Sequence, residues 1–148
     1  MPATVEELSP GLMERALGAL GSSYQTLEEG AYLVPFPLGN GAAADRLLVI
    51  GQISGDYRDV YQLSMHTERT FPRDDWWKLV DICNTWNATR RWPKAIAKVR
   101  PEGDVELTHR EDFWVGVGVH LELLANYTDL VVEEAASFWR WLREDHEL

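Results

Sequence analysis

Three strand-like stretches follow one another between residues 24 and 66 with no helix between any two of them, and this constrains the fold more than any other feature. Parallel neighbours would each need a crossover of about a dozen residues or more, usually helical. The first stretch runs from Tyr24 to Phe36, interrupted near Glu28-Glu29-Gly30 and closed by Pro35 and Pro37. The second is the nearly continuous apolar run Arg46 to Ile53, reached through Gly39-Asn40-Gly41-Ala42-Ala43-Ala44. The third opens at Ser54-Gly55 and places Tyr57, Tyr61, Leu63 and Met65 on one face, with Arg58, Gln62, Ser64 and His66 on the other. Two-faced strands joined by short turns predict an antiparallel sheet with one solvated face.

Helical stretches flank this run. Ser9 is placed to N-cap a first helix, Pro10 suits its first position and Gly21 its end, with Leu12, Ala16, Leu17 and Leu20 at helical spacing. Thr4 and Glu7 have capping-box spacing and allow an earlier start. A second helix is predicted over Asp74 to Arg90, with Trp76, Leu79, Val80, Cys83 and Trp86 as its apolar stripe and Trp77 off it. A hairpin turning at Pro101-Glu102-Gly103 comes next, which sets Lys98 opposite Glu106, Arg100 opposite Asp104 and Ala95 opposite His109. The last and longest helix is predicted over about Val119 to Arg143. The order is α-β-β-β-α-β-β-α. It predicts one α+β domain over residues 1–148, with an antiparallel five-stranded sheet and packed helices.

Several functions find no support in this pattern. His66, His109, His120 and His146 are dispersed, without metal-ligand spacing, so no metal is expected. The single cysteine, Cys83, excludes a disulfide within the chain and lies mid-helix on an apolar stripe, where a thiol is an inert hydrophobe. No serine-elbow motif is present. Gly39-Asn40-Gly41 lacks the lysine of a phosphate loop, and Gly116-Val117-Gly118 is followed by Leu121 where a dinucleotide fingerprint needs glycine. No catalytic constellation and no cofactor site is expected. No run of 18 apolar residues exists, and Met1-Pro2-Ala3-Thr4 opens nothing like a signal peptide. A soluble, cytoplasmic chain without membrane contact is the expectation.

Charge and tryptophan suggest where partners would bind. The chain carries 14 Lys and Arg against 24 Asp and Glu, a formal net charge of −10, which disfavours nucleic acid on average. Yet Cys83 to Pro101 holds Arg90, Arg91, Lys94, Lys98 and Arg100 and no acid. The hairpin register matches Lys98 and Arg100, the helix carboxyl end matches Arg90 and Arg91, and Lys94 is left over. Of seven tryptophans, Trp76, Trp86 and Trp139 fall on core stripes, whereas Trp77, Trp92, Trp114 and Trp141 are harder to bury and suit an interface. Nucleic-acid or nucleotide binding through Arg90, Arg91 and Lys94, with Trp86 and Trp92 stacking on bases, is the alternative.

The segment Asn84-Thr85-Trp86-Asn87-Ala88-Thr89-Arg90-Arg91-Trp92-Pro93-Lys94-Ala95 resembles the YbjN family, whose members are described as bacterial sensory-transduction regulators. Gly103-Asp104-Val105-Glu106-Leu107 and the stretch from Gly116 to Leu124 continue the likeness, and the element order agrees over nearly the whole chain. The resemblance implies a fold like that of type III secretion chaperones, a homodimer and no catalytic residues. Together these readings give a non-enzymatic, dimeric protein-interaction module, regulatory or chaperone-like, for an unidentified polypeptide partner. Its expected interface is Trp77, Trp86, Asn87, Arg90, Arg91, Trp92 and Lys94. Asn87 is singled out as an amide that ties the chain entering Trp92-Pro93 to the helix end.

Overall fold

The computed structural model describes residues 4–39 and 46–148. Met1 to Ala3, and most of the glycine- and alanine-rich connection after Gly39, lie outside the described residues. The sheet predicted from the consecutive strands is present and entirely antiparallel, but it has six strands, not five. Its strands are β2 (Gln25–Glu28), β3 (Ala31–Pro37), β4 (Arg46–Ser54), β5 (Val60–His66), β6 (Lys94–Val99) and β7 (Val105–Trp114), in the spatial order β2-β3-β4-β5-β7-β6. The extra strand arises where one interrupted strand was expected. Gly30 takes a positive φ of 81°, a backbone that a side chain disfavours, and the chain turns back there so that β2 pairs with β3 across a bulge. A separate two-stranded ribbon joins β1 (Val5–Glu6) to β8 (Val119–His120).

Helix α1 (Pro10–Ala19) starts as its sequence signals indicate, the Ser9 hydroxyl accepting the Leu12 N–H at 3.1 Å. Helix α2 (Trp76–Thr89) begins later than expected, because Arg73–Asp75 forms a 3-10 turn. Helix α3 (Leu121–His146) runs further at its carboxyl end.

All three helices bury apolar residues in one core with a single face of the sheet. Tyr32 and Val34, Leu47 and Val49, Tyr61, Leu63 and Met65, and Val105, Leu107 and His109 alternate inward from four strands. They meet Leu12, Met13 and Leu17 of α1, Leu79, Ile82, Cys83 and Trp86 of α2, and Leu124, Val131, Phe138 and Leu142 of α3. Ile82, off the expected stripe of α2, is also buried in the core. The hairpin register is the expected one, with Ala95 opposite His109 and Lys98 opposite Glu106. Arg100 and Asp104 form a two-armed ion pair of 2.6 and 3.0 Å. No helix among the described residues is long and apolar enough to cross a membrane.

Candidate site at the carboxyl end of helix α2

The end of α2 and the start of β6 are held together by two side chains. Trp86 is 1% exposed, and its indole N–H donates to the Pro93 carbonyl at 2.9 Å. Asn87, one residue on, uses both ends of its amide: Nδ2 donates to the Ala95 carbonyl at 3.0 Å, and Oδ1 accepts the Ala95 N–H at 2.8 Å. Since β6 is the outermost strand on this side, Asn87 gives Ala95 the pair of bonds a further strand would give. The amide therefore ties down β6 itself, just past the Trp92-Pro93 entry.

The expected interface set divides on this frame. Trp86 is corrected out of it: the ring sits edge-on to Phe138 at 5.2 Å and beside Trp141 at 5.8 Å, so it can reach neither a partner nor a base. Trp92 is half-buried against Tyr127 at 6.2 Å. Trp77, by contrast, is 74% exposed. It begins a solvent-facing stripe of α2 that continues through Asp81, Asn84 and Ala88. Trp114 is also exposed but has an internal duty, donating to Asp59 at 2.9 Å, and Trp141 packs within the core aromatics.

The cations behave differently from one another. Arg90 lies over the Trp86 ring at 4.8 Å and reaches Glu134 of α3 at 3.7 Å. The helix-end carbonyls do not need it, because Trp86 O accepts the Arg90 backbone N–H at 2.8 Å and Thr85 O accepts the Thr89 hydroxyl at 2.7 Å. Arg91 and Lys94 are exposed and make no ion pair among the described residues. With Asn87, Arg90, Pro93 and Glu111 they line an open groove of about 310 Å³. Glu111 accepts the Tyr127 hydroxyl at 3.2 Å, and burial raises its pKa. Sequence reasoning missed Glu111, although it stands on the inward-facing alternation of β7, an unusual place for a carboxylate.

Nothing in this region resembles a nucleophile or a metal centre. Burial pushes the Cys83 thiol up to about 12. Among the described residues no group of three histidine, cysteine or carboxylate side chains could hold a metal ion.

Comparison with known proteins agrees with this architecture. A family profile with the description "YbjN: Putative bacterial sensory transduction regulator" matches residues 9–144. Among solved structures, the chain is similar to one entitled "Crystal structure of YbjN, a putative transcription regulator from E. coli". The TM-score is 0.76 at 15% identity, covering 98% of this chain and 97% of that one, a likeness of fold. No curated protein sequence matches the chain.

Proposed function

The chain belongs to the YbjN family, and on that premise we propose that it is a non-enzymatic, cytoplasmic regulatory module, chaperone-like in its mode of action, that works as a homodimer and binds polypeptide. The observation that carries this reading is Trp77, an indole 74% exposed on the outer stripe of α2. Tryptophan is enriched at interface centres because it buries a large area with few rotatable bonds. An isolated wet indole gives the fold nothing in return.

The exposed stripe Trp77, Asp81, Asn84 and Ala88 suits a second copy as the first occupant. Two such helices packed antiparallel about a two-fold axis set each Trp77 against the far end of the other stripe, with Asn84 near the axis. The other end of the sheet offers a place for a different chain: β2 is an edge strand with all four residues exposed, and an extended segment can add to such an edge.

Light scattering on purified protein tests the dimer. The wild type is expected at twice the chain mass and Trp77→Ala at the single chain mass. A hot-spot tryptophan contributes about 2 kcal/mol or more, roughly thirtyfold in affinity. Trp77→Ala should leave unfolding stability within about 0.5 kcal/mol, as surface substitutions do. A wild-type monomer across the concentration range overturns the reading.

A further inference from the structure

The groove at the end of α2 is lined by three cations, Arg90, Arg91 and Lys94, and one acid, Glu111. Among the described residues Arg91 and Lys94 make no ion pair in contact, the Lys94 charge acting on Glu111 from beyond 4 Å, and Arg90 is held in place by Trp86 below and Glu134 beside it. Asn87 locks Ala95 to the helix, which fixes Lys94, the neighbouring residue, against the helix end. The acid in the lining, Glu111, already accepts a hydrogen bond from Tyr127. From Cys83 to Pro101 five bases stand without an acid, leaving nine of the 14 bases to face all 24 acids in the rest of the chain. Three cations against one acid give the groove a positive balance on a chain whose net charge is −10.

We propose that this groove binds a small polyanion, a metabolite bearing two or more carboxylate or phosphate groups. Its volume of about 310 Å³ sits at the small end of ligand sites, which run from about 300 to 1,000 Å³. A guanidinium forks onto two oxygens of one such group, and an ammonium placed nearby serves a second group as a point charge. Size and field both favour a small ligand over a nucleic acid. A phosphate backbone needs a longer track of cations, whereas a small anion is served by Arg90, Arg91 and Lys94 at one groove. Asn87 and Arg90 lie on the flank of α2 that turns toward β6, away from the Trp77 stripe, so the site stands whether or not that stripe pairs two copies.

The test is calorimetric titration of the intact protein with inorganic phosphate and with citrate, each at ionic strength held constant with sodium chloride. Saturable binding of either is expected, and which one saturates tells phosphate ligands from carboxylate ligands. The Arg91→Ala, Lys94→Ala double variant should bind at least about tenfold more weakly, since each loses a charge-assisted hydrogen bond. Arg46→Ala, which removes an exposed cation of β4 away from the groove, should bind as the wild type does. Heats that do not saturate with either anion, or equal affinity in the double variant, overturn the proposal.

Discussion

Replacing Trp86 with alanine is expected to lower the unfolding free energy by about 3–5 kcal/mol, the range for truncating a large buried aromatic. The ring is 1% exposed and contacts Phe138, Trp141 and His109, so its removal opens a cavity where α2, α3 and β7 meet. Two further losses accompany the cavity. The Pro93 carbonyl loses its indole donor, and the Arg90 guanidinium loses the ring beneath it. Trp86→Phe separates these effects: it keeps an aromatic ring but strands the carbonyl, for a cost of about 1–3 kcal/mol. Urea unfolding measures both through the midpoint at unchanged slope. A loss under about 1 kcal/mol for the alanine variant would mean that the indole does not tie α2 to the start of β6.

Acid should destabilise the fold through His109. The imidazole is 1% exposed, its ring 4.4 Å from that of Phe138 and 6.5 Å from that of Trp139, and neither nitrogen has a protein partner. Burial without a compensating charge lowers its pKa from the ordinary 6.5 to about 3. The folded chain therefore keeps a neutral ring while the unfolded chain takes up a proton below pH 6.5. Stability is full above that value and falls as pH drops toward 3. The contribution lost is about 2 kcal/mol by pH 5 and about 5 kcal/mol at its limit, at 1.36 kcal/mol per unit. His109→Phe fills the same aromatic site and cannot titrate. The change in unfolding free energy between pH 7.5 and pH 5 should thus be about 2 kcal/mol smaller in that variant than in the wild type. Equal changes in the two proteins would show that the ring is charged or solvated when folded.

What the sequence revealed, and what it hid, follows from the range of the interactions. The start of α1 was legible because Ser9 and Pro10 act within one turn. The second hairpin was legible to the residue, since a tight turn at Gly103 sets every pair that follows. β2 and β3 were read as one strand because a turn at Glu28-Glu29-Gly30 and an interruption look alike until the pairing partner is known. β1 and β8 are two residues each, too short for any period to register.

The candidate site shows the same division. Helical phase separated Trp77 from the apolar stripe correctly, and the structure leaves Trp77 exposed. The same phase put Trp86 on the stripe, and the rival reading of Trp86 as a contact residue fails because its ring faces inward. Glu111 of the groove lining comes from β7, and the partners of Glu111 and Arg90, Tyr127 and Glu134, come from α3; no local pattern near Arg90 points to them.

A cross-link at the proposed axis tests most directly whether the outer stripe of α2 meets its own copy. Asn84 is exposed midway along the helix, while the native Cys83 is buried and should not react. Under mild oxidation the Asn84→Cys protein is predicted to form a covalent dimer that reductant reverses, with the wild type unlinked under the same treatment. An Asn84→Cys chain that stays single, beside a wild type at single chain mass in solution, would contradict the account.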